Sequence, residues 1–118
     1  MAMAALVKET DFEALAYAYV KKGHEQGVRH AEIFFDPQAH VDRGVALSAV
    51  IHGLNAGLLK GEKEFGITTK LICCFVKHLS VASALATVES VIPFVKNGEV
   101  RLHSTWIQLW DFIKVLLL

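Results

Sequence analysis

VRHAEIFFDP at residues 28–37 and TKLICCFV at residues 69–76 decide the fold that this sequence predicts. Both runs are rich in residues that favour β-strands, and the second is continuously apolar, which is typical of a strand covered on both faces in a parallel sheet. Asp36 and Pro37 end the first run, and the proline ring disfavours helical backbone at Asp36. We therefore predict strands over residues 28–35 and 69–76, the first followed by a loop.

Helical periodicity fills the segments around these two strands. The spacing of Thr10 and Glu13 is that of a capping box, which predicts that a helix begins at Thr10 and runs to about His24. Apolar residues recur at helical spacing over residues 44–65 and again over residues 80–97. The predicted order of elements is therefore αβαβα.

Alternation of strands and helices implies right-handed crossovers and a parallel sheet, so the predicted class is α/β. The two strands begin 41 positions apart, at Val28 and Thr69. That spacing fits a doubly wound sheet and a β/α barrel equally well, and periodicity does not separate them.

The composition predicts one compact globular unit with no net charge. The chain has 118 residues, of which 53% are hydrophobic, and it carries 12 acidic and 12 basic side chains. A neutral chain has no long-range attraction for nucleic acid, so nucleic-acid binding is not expected.

The longest apolar run, residues 106–118, is shorter than the roughly 20 residues that span a bilayer. No transmembrane segment is predicted.

The cysteines and the amino-terminal residues indicate the cellular location of the protein. Cys73 and Cys74 are adjacent, so they cannot form a metal-binding CxxC motif, and we expect them to be buried, reduced thiols. No basic region precedes a long apolar stretch at the start of the chain, so a secretory signal is not predicted. These features favour a cytoplasmic location.

Motifs that would carry chemistry are sparse. The six histidines include no HxH or HxxxH pair, although His40 and His78 follow predicted strand ends, where α/β folds gather functional groups. Glu32 and Asp36 fall on one strand face, and a Glu32 inside a parallel sheet would be buried and need a partner. No phosphate-binding loop is present. Three glycines that recur every fourth residue indicate close helix packing instead: Gly53, Gly57 and Gly61.

Two longer stretches resemble the adenine and adenosine deaminases. They are FEALAYAYVKKGHEQGVRHAEIFFDPQAHVDRG at residues 12–44 and FGITTKLICCFVKHLS at residues 65–80. The resemblance implies a segment of an eight-stranded β/α barrel of the TIM type and removal of the exocyclic amine of adenine or adenosine by a zinc-bound hydroxide. The FFDPQ motif favours adenine. A nuclear location is also compatible with this family.

The resemblance also carries expectations about the site. It implies a pocket rim formed by six residues at the strand ends: Phe35, Asp36, Gln38, His40, Arg43 and His78. The zinc-binding motifs and the proton-transferring Glu of the family have no counterpart in this sequence. We therefore expect no tightly bound zinc and no catalytic residue in this chain.

The last expectations concern organisation. Residues 1–98 are predicted to form part of a deaminase domain, and residues 99–118 an apolar, helical tail unlike the family. Two strands of eight cannot close a barrel, so exposed edges should favour self-association. The predicted function is an inactive fragment of a purine deaminase, producing hypoxanthine or inosine in its complete form. The alternative is a non-catalytic interaction module that pairs through strand edges.

Overall fold

The computed structural model describes residues 6–41, 43–74 and 81–102. Its elements follow in this order: α1 (Glu9–Glu25), β1 (His30–Phe35), α2 (Pro37–Val41), α3 (Leu47–Phe65), β2 (Thr68–Cys73), α4 (Val81–Lys96) and β3 (Arg101–Leu102). The three long helices and two long strands confirm the predicted αβαβα order. The short helix α2 and the short strand β3 were not predicted.

Helix α1 begins at Glu9, one residue before the predicted start at Thr10. The Asp11 carboxylate accepts hydrogen bonds from the main-chain N–H groups of Lys8, at 2.8 Å, and Val7, at 3.1 Å. The predicted capping box of Thr10 and Glu13 is therefore wrong in position, because the capping carboxylate is that of Asp11, two residues before Glu13. An acidic side chain in the first turn of a helix accepts from free main-chain amides and complements the positive end of the helix dipole. It can do so without the Thr10 hydroxyl.

The sheet has the arrangement that a β/α barrel requires. Its strand order is β1-β2-β3, and both pairs are parallel. Residues of β1 and β2 align from His30 opposite Thr68 to Phe35 opposite Cys73. Consecutive parallel strands in chain order, covered by helices on one face, are the arrangement of a β/α barrel segment, and one half of a doubly wound sheet shares it.

Helices α1 and α3 approach each other closely because glycines line their contact. A Cβ atom added at Gly53 would overlap the Glu9 carbonyl oxygen, and one at Gly57 would overlap the Glu13 carbonyl oxygen. At Gly61 it would lie 2.6 Å from a methyl carbon of Val20. The predicted role of the glycine repeat in helix packing is confirmed.

The core lies between the helices and one face of the sheet. Phe12, Ile51, Leu71 and Val91 are among its buried side chains, and Ile33 packs against them from β1. The opposite face of the sheet is exposed along β1. Glu32 lies on this exposed face, so the expectation of a buried Glu32 is wrong, because only one face of β1 is covered by the described residues.

The predicted tail lies mostly outside the described residues. Arg101 and Leu102 form β3, which pairs with Ile72 and Cys73 of β2. The helix predicted over the rest of the tail, and the domain boundary at residue 98, stay predictions. Among the helices of the described ranges, none has the length and apolar character to cross a bilayer.

Candidate functional site

The carboxyl ends of β1 and β2 meet at one edge of the sheet. The main-chain N–H of Cys74 donates to the Phe35 carbonyl oxygen at 2.8 Å, so the two chains are still paired where the strands end. Asp36 follows directly and is half-buried. Burial raises the pKa of Cys73, at the end of β2, and of Cys74, just after it, and the negative charge of Asp36 adds to both shifts. This edge is where β/α folds place their functional groups.

His40 and Arg43 bind the amino-terminal part of the chain. The Arg43 guanidinium donates to Nδ1 of His40 at 2.8 Å and to the Leu6 carbonyl oxygen at 3.0 Å. The His40 ring meets the Phe12 ring edge-on, with centroids 5.0 Å apart. These contacts tie α2 to the start of α1.

The environment keeps His40 neutral. Burial lowers its pKa from the usual value, and the Arg43 charge lowers it further, while Asp36 opposes the shift. Because Nδ1 accepts the bond from Arg43, the proton of the neutral ring lies on Nε2. At neutral pH His40 therefore accepts through Nδ1 from Arg43, and its Nε2–H is a hydrogen-bond donor.

The predicted rim residues are not all brought together. Asp36 lies at the carboxyl edge, but Phe35 packs against the hydrophobic core. The neighbouring Phe34 points to the exposed face of the sheet instead, and it is 57% exposed. Sequence reasoning missed Phe34, although the period-2 alternation of a strand would have separated the two phenylalanines. The Gln38 side chain and His78 lie outside the described part of the structure.

The cysteines beside Asp36 are free thiols. Burial raises the pKa of Cys73 to about 12, and burial followed by the Asp36 charge raises the pKa of Cys74. A thiol with a raised pKa holds little of the reactive thiolate at neutral pH. Neither cysteine is therefore suited to be a nucleophile.

Most side chains on the exposed face of the sheet, which we call the open face, are polar. Its residues are His30, Glu32, Phe34, Thr68, Lys70, Ile72 and Arg101. His30 Nδ1 lies 2.6 Å from the Thr68 hydroxyl oxygen, and its Nε2 lies 3.5 Å from the Glu32 carboxylate. In a closed barrel this face points to the interior. Polar side chains there need partners from other strands.

A cleft of about 620 Å³ lies between α3, the start of β2 and the segment that enters β3. His52 meets Glu99 at 3.1 Å, and the Asn55 amide donates to the Glu99 carbonyl oxygen at 2.9 Å. Glu62 accepts from both the main-chain N–H and the hydroxyl of Thr69. The contacts of His52 and Asn55 with Glu99 hold the segment before β3 on α3, and the Glu62 contacts hold the start of β2 on the same helix.

The donor chemistry of the described residues does not fit a zinc ion. Within residues 6–41, 43–74 and 81–102, no three His, Cys, Asp or Glu side chains come together in a metal-binding group. A tetrahedral zinc site takes three or four such ligands. The expectation that this chain binds no zinc stays a prediction.

A family model described as adenosine deaminase matches residues 1–102. This chain belongs to the adenosine deaminase family. The match extends through β3.

Relatives of this adenosine deaminase segment are adenine deaminases. The protein of Saccharomyces cerevisiae is 45% identical over 95 residues, which are 80% of this chain and 27% of the relative. The crystal structure of adenine deaminase from Arthrobacter aurescens superposes with a TM-score of 0.77 and 38% identity, over 86% of this chain and 32% of that one. The chain thus spans about a quarter to a third of the proteins it matches.

A second solved structure concerns the metal. An amidohydrolase from Burkholderia ambifaria, with bound zinc, superposes with a TM-score of 0.73 and 26% identity. The match covers 82% of this chain and 27% of that protein. Zinc is therefore present in a structural neighbour of the adenosine deaminase segment.

Proposed function

We propose that this segment forms part of the pocket wall of a purine deaminase barrel, and that the 118-residue chain does not deaminate purines by itself. The observation that supports this role is Asp36, which follows β1 at the carboxyl edge of a parallel sheet in a chain of the adenosine deaminase family. Adenine is the proposed substrate of the complete barrel, since the relatives described above are named adenine deaminases.

Hydrolytic deamination replaces the exocyclic amine of the purine by oxygen, and it needs an activated water and a proton donor. Asp36 would contribute a hydrogen-bond acceptor for a purine N–H group, and the neutral His40 would hold α2 in place through Phe12 and Arg43. Within the described residues, no group of His, Cys, Asp and Glu side chains could hold a metal ion to activate water. This chain would therefore contact purine weakly and leave the chemistry to the rest of a barrel.

A deamination assay tests this proposal. The purified chain is mixed with adenine, and separately with adenosine, in the presence of added zinc, and hypoxanthine or inosine is identified by chromatography. Adenine deaminase from Arthrobacter aurescens serves as the active control. We expect rates equal to those in buffer. Zinc-dependent turnover that co-purifies with the chain and disappears in His40→Ala, but not in His24→Ala, would contradict the proposal.

The cellular setting is part of the same proposal. Cys73 and Cys74 are free thiols, and free, buried thiols are typical of proteins in a reducing compartment. We therefore place the protein inside the cell, in the cytoplasm. Imaging of the tagged chain in its own cells, with a secreted protein as control, tests this assignment.

A further inference from the structure

The cleft beside α3 opens where β2 and β3 are not yet paired. Within the described part of the chain, their pairing begins at Ile72 opposite Arg101. Just before Arg101 the chain lies against α3, where the Asn55 amide donates to the Glu99 carbonyl oxygen at 2.9 Å. The space between this segment and residues 69–71 of β2 is the cleft of about 620 Å³. A volume of that order is typical of a site for a small organic molecule.

Two carboxylates line the cleft, and each has a partner. Glu62 accepts from the main-chain N–H of Thr69 at 2.6 Å and from its hydroxyl at 2.7 Å. The Glu99 carboxylate lies 3.1 Å from Nε2 of His52. These contacts hold both carboxylates on the α3 side of the cleft.

Two cations line the cleft on its other side, where it reaches the open face. They are Lys70 and Arg101, and no carboxylate of the described residues lies within 4.0 Å of either. Glu32, which is opposite Lys70 in the register, contacts His30 instead. Since Arg101 lies opposite Ile72, Lys70 is its diagonal neighbour on the same face, and these long side chains can contact one group together. This side of the cleft therefore attracts an anion.

The remaining wall of the cleft indicates what the anion is attached to. Leu59 and Ala56 line it from α3, and Leu59 is 54% exposed, so an apolar or ring-shaped group could cover it. A phosphate monoester carries a charge of about −1.5 to −2 at neutral pH, which balances two cations. The Arg101 guanidinium can bind two phosphate oxygens in a fork, and Lys70 can act as a point charge.

We propose that this cleft binds a small organic phosphate monoester, with its phosphate between Lys70 and Arg101 and its organic group against Leu59. The site lies at the starts of β2 and β3, whereas the purine pocket wall is proposed at the strand ends. The cleft is therefore a second site, which goes beyond the proposed function.

An NMR titration of the 118-residue chain tests the site. The probe is phenyl phosphate, compared with inorganic phosphate and with phenol. We expect saturable shifts at the amides of Lys70, Leu71, Gly98 and Arg101, tighter binding of phenyl phosphate than of inorganic phosphate, and no binding of phenol. Titrations with AMP and with glucose 6-phosphate then show whether the natural ligand is a nucleotide or a sugar phosphate.

Variants make the test specific. Lys70→Gln and Arg101→Gln should each weaken phenyl phosphate binding at least about tenfold, because each removes a charge-assisted hydrogen bond. Lys63→Gln is the matched control, since Lys63 is exposed on α3 and does not line the cleft. Leu59→Ser should weaken the binding of phenyl phosphate and leave that of inorganic phosphate unchanged. Circular dichroism checks that each variant is folded.

Several results would overturn the proposal. One is the absence of saturable shifts with phenyl phosphate. Another is an equal loss of binding in Lys63→Gln and Lys70→Gln, which would indicate attraction to surface charge in general. Shifts at Asp36 and Cys74 with none at Lys70 and Arg101 would place the ligand at the carboxyl edge instead. Equal affinity for phenyl phosphate and inorganic phosphate, with no effect of Leu59→Ser, would contradict the role of the organic group.

Discussion

At the scale of single residues, His40 couples the site to pH. Its folded-state pKa is lowered, first by burial and then by Arg43, with Asp36 acting in the opposite direction. As the pH falls from about 6.5, the ordinary value, the unfolded chain takes up a proton before the folded chain does. The free energy of unfolding should therefore decrease between pH 6.5 and the lower folded pKa.

A variant isolates this contribution. In His40→Gln the part of the pH dependence between 6.5 and the folded pKa should disappear, although the variant is less stable at pH 7.5 because the contact with Phe12 changes. Urea denaturation of both proteins at a series of pH values measures it. Identical pH slopes for wild type and variant would show that His40 does not titrate differently in the folded state.

Cys73 and Cys74 give a second prediction at this scale. A pKa of about 12 at Cys73 reduces the fraction of its thiolate by roughly a thousandfold at neutral pH, relative to a thiol with its ordinary pKa. Cys74 is half-buried, so it should react with iodoacetamide first. Mass spectrometry of the folded and the urea-unfolded chain gives both rates. Rapid labelling of Cys73 in the folded chain would contradict its burial beneath the helices.

At the scale of elements, the close contact between α1 and α3 requires glycines in α3, although glycine has a low helix propensity. Ala is favoured over Gly inside a helix by about 1 kcal/mol, but overpacking costs about 1–3 kcal/mol. A Cβ at position 57 would overlap main-chain atoms of α1, which cannot rotate away. We expect Gly57→Ala to lower the free energy of unfolding by about 1–2 kcal/mol in urea denaturation.

Ser48→Ala is the matched control for that prediction. Ser48 is exposed near the start of the same helix, so propensity alone acts there, and the variant should be as stable as wild type or slightly more stable. A stabilised Gly57→Ala would mean that the helices are further apart than this structure has them.

The long elements could be predicted from the sequence because each carries its own periodic signal. The apolar spacing of α3 and the β-rich runs of β1 and β2 depend on local pattern, and these elements were found within a few residues. Helix α2 was missed because Pro37, which ends β1, also suits the first position of a helix. Strand β3 has two residues, too few for any alternation.

At the scale of the whole molecule, stability should be uneven. Helices α1 and α3 share the buried side chains Phe12, Val20 and Ile51, whereas β3 pairs with β2 at two positions within the described part of the chain. Regions with few packed contacts open with smaller free energies. We expect hydrogen exchange in α1 and α3 to be slowest and exchange in the α4–β3 segment to be clearly faster, as measured by mass spectrometry. Equal protection would show one cooperative unit.

The candidate site was less predictable than the fold, because a site depends on which side chains turn to one face. The parallel sheet and the position of Asp36 followed from the two strand patterns. The contacts of His40 with Phe12 and of Arg43 with Leu6 join positions far apart in sequence, and no local pattern indicates them. Likewise, the exposure of Glu32 depends on what covers β1.

The glycine stripe of α3 restricts how this segment can change in length. Gly53, Gly57 and Gly61 meet α1 because they recur at four-residue intervals, close to the 3.6 residues of a helical turn. Inserting or deleting one residue ahead of Gly57 within α3 would rotate the following glycines by about 100° and bring side chains against the α1 backbone. Length variation among homologous segments should therefore be confined to the connections, such as residues 26–29 between α1 and β1, while the two helices keep a fixed residue count.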